Sequence, residues 1–136
     1  MSLTWRESVD PTLLSPEFVG DLVALLWGSK FSWYVTYGFR TYKEQAALYQ
    51  KHLAGGPKAA PPGRSAHEFG LAVDIVLDAD PETPGLQPSW NTKLAGWIWL
   101  FVAVKRHPRL QSGVLFGDGG HIQRYKWKQY TNWKEG

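Results

Sequence analysis

The sequence predicts an α+β fold in which helices flank a small, mostly antiparallel sheet. The chain has 136 residues, of which 43% are hydrophobic, and this is enough for one domain with a real core but too short for two. Helical apolar spacing and short β-rich runs both occur, yet they do not alternate as a regular parallel fold requires. No repeat and no low-complexity segment interrupts them. We therefore predict a single domain over residues 1–136.

The first half of the chain predicts two helices with a strand between them. Apolar residues at helical spacing follow Pro16, a residue tolerated in a first turn, and the helix should end before Gly28. Residues 32–37 are rich in aromatic and β-branched side chains, which predicts a strand. Thr41 begins a capping-box pattern that predicts a second helix over 42–53.

The second half predicts two further strands and one long helix, separated by loops rich in Gly and Pro. The helix follows from apolar residues on one side of a helical period, and the first strand from a short apolar run. In order, the elements are a strand at 71–77, a Pro-rich loop at 78–89, a helix at 91–107, an apolar segment at 114–116, a glycine-rich turn at 117–120 and a strand at 121–127.

Composition excludes several classes of site. Because the chain has no cysteine, it has neither a disulfide framework nor a thiolate metal site, and any zinc must be held by His, Asp or Glu. The first ten residues are polar, so we expect no secretory signal, and no apolar run approaches the ~18 residues of a membrane span. We expect a soluble protein without membrane insertion.

The net charge of +3 is mild, and the basic residues cluster only near the C-terminus. There, Arg124, Lys126 and Lys128 alternate with Tyr125 and Trp127. Such a cluster suits an anionic polymer such as nucleic acid or cell wall. A strand edge protected by lysine explains it equally well.

Asp74 lies in an otherwise apolar run, 72–76, where an ionised carboxylate needs a compensating partner. A metal ion would be such a partner, and His67 is near enough along the chain to share it. An ion pair with Arg40 or Arg64 is the alternative for Asp74, and a hydrogen-bonded packing role is the alternative for His67.

Asp118 and His121 form a second cluster, separated by two glycines that leave the backbone free to turn both side chains into one cleft. An ordinary hairpin turn, with Asp118 present for turn chemistry, explains the same residues. His67 and Glu68 do not begin a helical His-Glu-x-x-His zinc motif, because Leu71 occupies the position of the second histidine.

Together these residues meet the requirements of one catalytic zinc ion. His67, Asp74 and His121 would be its three protein ligands, with a fourth position left for water. Zinc lowers the pKa of that water, and Asp118 is placed to accept its proton as general base. Arg40 has the bidentate geometry to stabilise an oxyanion or to bind a substrate carboxylate.

The sequence resembles the zinc peptidases that include VanY-type D-alanyl-D-alanine carboxypeptidases and phage L-alanyl-D-glutamate endopeptidases. The resemblance rests on residues 37–42 followed by Glu44 and Gln45, on the pattern Ser-x-His-x-x-Gly-x-Ala-x-Asp at 65–74, and on Asp-x-x-His at 118–121. The second of these patterns is highly specific. The three occur in the expected order and span most of the chain.

The resemblance implies the same roles for the zinc ligands, the base Asp118 and Arg40, and it adds Ser65 and Gln45 as substrate-binding residues. It also implies the fold shared with the hedgehog signalling domain, with the metal on the sheet. One departure is that Gly120 and Ile122 flank the last histidine, where family members often carry Pro and an aromatic residue.

Within this family, a short chain without a signal resembles a phage endolysin, which waits in the bacterial cytoplasm until it is released to the cell wall. We therefore expect a monomeric zinc endopeptidase that cleaves the L-Ala-D-Glu bond of the peptidoglycan stem peptide and binds no nucleic acid. A D-Ala-D-Ala carboxypeptidase or dipeptidase is the alternative. The second alternative is a non-catalytic wall-binding module, which the 8 Trp residues and the basic cluster suggest.

Overall fold

Strands from both ends of the chain meet in one sheet. The computed structural model describes residues 2–114 and 117–131. Within these residues the strands are β1 (Ser2–Trp5), β2 (Ser32–Tyr37), β3 (Ala72–Asp78), β4 (Pro88–Ser89), β5 (Leu110–Gly113) and β6 (Asp118–Arg124). The sheet order is β1-β2-β3-β6-β5, and β4 pairs with β3. Because only the pairing of β1 with β2 is parallel, the predicted α+β fold with a mostly antiparallel sheet is confirmed.

Three α-helices accompany the sheet within the described residues: α1 (Pro16–Trp27), α2 (Tyr42–Leu53) and α3 (Ala95–Arg106). The first two have the predicted bounds. Thr41 accepts a hydrogen bond from the Glu44 backbone N–H, and Glu44 accepts one in return from the Thr41 N–H, so the capping box is present. No helix in the described part is long and apolar enough to cross a membrane.

The core lies where α1 and α3 pack against the central strands. The buried apolar side chains of the two helices are Phe18, Leu22, Leu26, Trp97, Leu100 and Val104. Trp97 meets Trp33 of β2 edge-on, with ring centroids 5.2 Å apart. Burial of side chains this large supplies most of the driving force that positions the sheet.

The helix predicted at 91–107 begins at Ala95 instead. A turn precedes it, in which the Asn91 carbonyl accepts a hydrogen bond from the Leu94 N–H at 3.0 Å. The Asn91 side chain also accepts one from the Lys93 N–H at 3.1 Å. The asparagine therefore stabilises a turn in place of the first helical turn, as is common for this residue.

The C-terminal region differs from its prediction in both turn and strand. The prediction of a glycine-rich turn at 117–120 is wrong for residues 118–120, because β6 already begins at Asp118. The strand predicted at 121–127 ends at Arg124. Lys126 follows with a φ of 55°, which is incompatible with a strand.

Three strands were not predicted: β1, β5 and the two-residue β4, which lies at the end of the predicted Pro-rich loop. β1 lies in the polar N-terminal segment, and its parallel partner β2 is about thirty positions away, from Ser2 paired with Ser32 onwards. β5 ends at Gly113, just before the apolar segment expected at 114–116, of which residues 115 and 116 lie outside the described residues. The partner of β1 is distant in sequence, so no local pattern reveals this strand. β4 and β5 pair with strands that are their neighbours along the chain, but they are only two and four residues long, which is too short for a clear hydrophobic pattern.

At Gly120, β6 passes too close to β3 to leave space for a side chain. A Cβ placed there would lie 2.7 Å from the Ile75 carbonyl oxygen, which is backbone and cannot move aside alone. We expect Gly120→Ala to lower the free energy of unfolding by roughly 1–3 kcal/mol, measured by urea denaturation. Gly20→Ala is the matched control, since Gly20 lies in α1 with nothing within 4 Å of the added methyl. It should raise the free energy of unfolding by roughly 0.5–1 kcal/mol, and equal stability of the two variants would contradict the prediction.

Candidate metal centre and active site

Three separate elements bring His67, Asp74 and His121 to one point. Asp74 and His121 lie directly opposite each other on the antiparallel strands β3 and β6. His67 lies in a short 3-10 helix, Ala66–Phe69, which ends at Gly70 in the left-handed conformation with a φ of 68°. That reversal, accessible to glycine at little cost, leads the chain from the helix towards β3.

The donor atoms of these residues face one another. Asp74 Oδ1 is 3.4 Å from His67 Nε2 and 3.2 Å from His121 Nδ1, and the imidazole centroids are 5.1 Å apart. One ligand atom from each residue lies within 4.8 Å of the others. Two nitrogens and one carboxylate oxygen at such spacing are a donor set typical of catalytic zinc.

Hydrogen bonds to the other ring nitrogens favour the tautomers that metal binding needs. His67 Nδ1 is 2.7 Å from the Gly38 carbonyl oxygen, which only accepts, so this nitrogen donates and leaves Nε2 with a free lone pair. His121 Nε2 is 2.8 Å from Gln123 Oε1, which leaves Nδ1 free in the same way. The free nitrogens are the two that face Asp74, so the residues present fit a metal ion.

Electrostatics couple the three groups. Burial raises the pKa of Asp74, but when the two imidazoles are protonated, their charge and hydrogen bonds outweigh burial and hold this pKa well below its usual range. A metal ion bound at the same nitrogens would supply positive charge in place of those protons. Burial lowers the pKa of His121, yet its hydrogen bond to Asp74 and the Asp74 charge produce a net upward shift. The carboxylate is therefore ionised and available as a ligand over the whole physiological range.

Arg40 is the arginine that pairs with Asp74, which resolves the alternative between Arg40 and Arg64. Its Nη2 lies 3.1 Å from Asp74 Oδ2, whereas the contacts with the two imidazoles are made by Oδ1. The Arg40 backbone N–H donates to the His67 carbonyl at 3.1 Å, so the same residue also fixes the chain at His67. One guanidinium N–H binds Asp74, and Arg40 makes no other side-chain hydrogen bond among the described residues, although it is not one of those that line the cavity beside Asp74.

A cavity of about 560 Å³ opens beside Asp74. Asp118 lines it, as do Tyr37 and Trp90, whose exposed aromatic rings form part of its wall. Burial and then the negative charge of Asp74 raise the pKa of Asp118. A carboxylate of raised pKa next to a candidate metal centre is the kind of group that accepts and returns protons near neutral pH.

The two weaker candidates have contacts inside the protein. Ser65 is almost buried, and its hydroxyl accepts a hydrogen bond from the His67 N–H at 3.3 Å, which caps the 3-10 helix. Gln45 is 1% exposed, and its amide donates to the Ala60 carbonyl at 2.9 Å. Gln45 is not among the described residues that line the cavity, and its amide fixes the loop before Ser65. Substrate contact by either residue stays a prediction.

The C-terminal basic cluster divides into two parts. Arg124 is buried, donates to the Arg109 carbonyl at 3.3 Å and stacks on Tyr130 at 4.2 Å, so it stabilises the fold. Lys126 and Lys128 are exposed, and each lies over a neighbouring aromatic ring. Only the lysines belong to the basic surface that the sequence suggested.

Sequence reasoning missed Gln123, which orients His121. Its Oε1 binds His121 Nε2, and its own amide donates to Gln111 Oε1 on the adjacent strand at 3.0 Å. The signal was present in the spacing, because residues two apart on a strand point to the same face. Partners of this type fix the ring of a metal-binding histidine.

We expect Gln123→Leu to weaken zinc binding by roughly 10–100-fold, since His121 would lose the acceptor that fixes its tautomer. Competition with a chromogenic chelator measures this affinity directly. Gln129→Leu, an exposed glutamine away from the histidine, is the matched control and should leave the affinity unchanged. Equal affinity of the Gln123 variant and the wild type would refute this role.

Comparisons with known proteins agree with this geometry. A family model described as VanY, D-alanyl-D-alanine carboxypeptidase, matches residues 19–106. This range includes Arg40, His67 and Asp74 but ends before Asp118, which lines the cavity, and before His121, which pairs with Asp74 across the sheet. No curated protein sequence matches the chain.

Solved structures share the fold. The L-Ala D-Glu endopeptidase ChiX of Serratia marcescens is 20% identical with a TM-score of 0.65, covering 96% of this chain and 94% of its own. The LD-carboxypeptidase LdcB is 16% identical with a TM-score of 0.57, covering 93% and 67%. VanYB, solved in complex with D-alanine-D-alanine, is 20% identical with a TM-score of 0.52, covering 88% and 75%.

Proposed function

Because the chain belongs to the VanY D-alanyl-D-alanine carboxypeptidase family, we propose that it is a zinc-dependent peptidase that cleaves the L-Ala-D-Glu bond of peptidoglycan stem peptides. The observation that carries the proposal is the convergence of His67, Asp74 and His121, whose donor atoms lie within 4.8 Å of one another beside an open cavity. Three protein donors with an accessible side are what catalytic zinc requires.

The chain's own residues have distinct tasks in this reaction. When bound, zinc supplies a Lewis acid that activates water and polarises the scissile carbonyl. Asp118 accepts the proton of the attacking water and returns it to the leaving amine. Arg40 holds Asp74 through one N–H, and its remaining donors stabilise the negative charge that develops on the carbonyl oxygen.

Two bonds are candidates for cleavage. The L-Ala-D-Glu bond is our first choice, and support comes from the ChiX endopeptidase, whose fold matches nearly the full length of both chains. The D-Ala-D-Ala bond is the second choice, favoured by the description of the family model. The open cavity beside Asp74 is compatible with a peptide that continues on both sides of the cut.

Purified muropeptides distinguish the two bonds. A disaccharide tripeptide contains the L-Ala-D-Glu bond but no D-Ala-D-Ala, whereas a pentapeptide contains both. We expect mass spectrometry to find L-Ala left on the sugar and a peptide beginning with D-Glu from either substrate. Release of D-Ala from the pentapeptide with an intact tripeptide would establish the second choice instead.

A non-catalytic wall-binding role predicts that the wild type releases no product from either muropeptide, although it binds cell-wall preparations. An endolysin role, a cytoplasmic location before lysis and a monomeric state stay predictions from the sequence.

A further inference from the structure

An arginine that the sequence analysis did not single out, Arg6, lines the cavity beside Asp74. It follows β1 directly, and its backbone N–H donates to the Val35 carbonyl at 2.9 Å, which ties this point of the chain to β2. Its side chain lines the cavity together with Asp74 and Asp118. Arg6 lies outside both the segments of the family resemblance and the range that the family model matches.

The Arg6 guanidinium is held in place but is not neutralised. Its Cζ lies 5.0 Å from the centre of the Tyr37 ring, and the Cζ of Arg40 lies 5.6 Å from the same ring. Arg40 forms an ion pair with Asp74, whereas Arg6 pairs with no carboxylate among the described residues. Arg6 is therefore an oriented cation in this cavity whose guanidinium N–H groups can donate hydrogen bonds to a ligand.

The two candidate substrates share one chemical feature close to the scissile bond. In the stem peptide, D-Glu continues the chain through its γ-carboxyl, so its α-carboxylate stays free. A terminal D-Ala carries a free carboxylate in the same position. In both cases, the residue whose amine leaves has a carboxylate on the adjacent carbon, and this charge must enter a cavity that Asp74 and Asp118 already make negative.

We propose that Arg6 binds the free α-carboxylate of the residue whose amine leaves, and so makes the protein select acids over the corresponding amides. The inference rests on the proposed function and names the substrate group that the site recognises. A guanidinium matches a carboxylate through two parallel N–H donors. In the amide, an NH₂ group replaces one of the carboxylate oxygens. The guanidinium has only N–H donors, so the hydrogen bond to that oxygen is lost and the two facing donors repel each other.

The test compares paired substrates that differ only at this carboxyl. One pair is a disaccharide tripeptide with D-Glu or with D-isoglutamine, and the other is a pentapeptide ending in D-Ala or D-alaninamide. We expect the wild type to prefer the acid in kcat/KM by roughly 10–100-fold. Arg6→Gln should abolish most of this preference by raising KM for the acid, with little change for the amide. Arg6→Lys keeps the positive charge but loses the two parallel N–H donors, so its preference for the acid should lie between those of the wild type and Arg6→Gln.

Arg106→Gln is the control, since it removes an exposed arginine at the end of α3 and should preserve the preference. Circular dichroism checks that each variant is folded. If Arg6→Gln slowed acid and amide equally, Arg6 would support only the cavity wall and the proposal would be overturned. A wild type that shows no preference would overturn it as well.

A binding measurement separates this inference from the proposed function. Calorimetry on the Asp118→Ala protein, with and without Arg6→Gln, gives the affinity for each acid and amide without turnover. If the wild type cleaved neither bond, the proposed function would fail. The role of Arg6 would still be supported by an acid preference that disappears with Arg6→Gln, and refuted by equal affinities.

Discussion

Replacement of Asp74 by asparagine is expected to give a folded protein that retains no zinc and hydrolyses no stem peptide. Asp74 Oδ1 is the atom that both imidazoles face, at 3.4 and 3.2 Å. Asparagine keeps the size of the side chain but removes the charge that a divalent cation needs. The affinity for zinc should fall by more than the roughly 10–100-fold that accompanies the loss of an outer partner. Metal analysis after dialysis and the tripeptide assay measure the two effects.

The matched control is the same substitution four residues further along β3. Asp78 accepts a hydrogen bond from the Asp80 N–H and lies outside the metal centre. Asp78→Asn should keep both zinc and activity. A zinc content in Asp74→Asn equal to that of the wild type would remove Asp74 from the ligand set.

Asp118→Ala is expected to lower kcat by roughly 10²–10⁴-fold while the zinc content stays at the wild-type level. The carboxylate lines the cavity and forms no ion pair within the described residues, so its removal should cost little stability. Alanine is preferred to asparagine, because an asparagine before Gly119 deamidates readily. Full activity of this variant would eliminate Asp118 as the base.

The pH dependence provides a second measurement on the same residue. A general base works only when deprotonated, so activity should be lost as the pH falls through the pKa of Asp118. Because burial and the Asp74 charge raise this pKa, the loss should occur above the ~3.9 of an ordinary aspartate. Zinc content measured at each pH distinguishes this loss from release of the metal. The residual activity of Asp118→Ala should lack this acidic limb.

The sequence predicted best those elements whose signals are local. The capping box at Thr41 and the helical spacing after Pro16 are each complete within a few residues, and both helices have the predicted bounds. Asp74 stood out for an equally local reason, as one charge in an apolar run. By contrast, β1 is a strand because β2 pairs with it, and nothing within residues 2–5 records that partner.

The same distinction applies to the site. The donor residues were recognisable by type and order, and the structure brings them together. The orientation of His121 by Gln123 and the presence of Arg6 in the cavity depend on which strands are neighbours, so they became visible only with the fold. Gln45 is the opposite case. The resemblance indicated a substrate-binding residue, but in the structure its side chain is buried and donates a hydrogen bond to the backbone of Ala60.

The direct pairing of Asp74 with His121 links metal loading to correct folding. A slip of one residue between β3 and β6 would turn His121 to the opposite side of the sheet, away from the carboxylate. These two residues are 47 positions apart, so their meeting depends on the correct pairing of two strands that are distant in sequence and not on local structure. Zinc uptake during refolding would therefore report on the alignment of these strands, and a misaligned chain would be detectable as a fraction that takes up no metal.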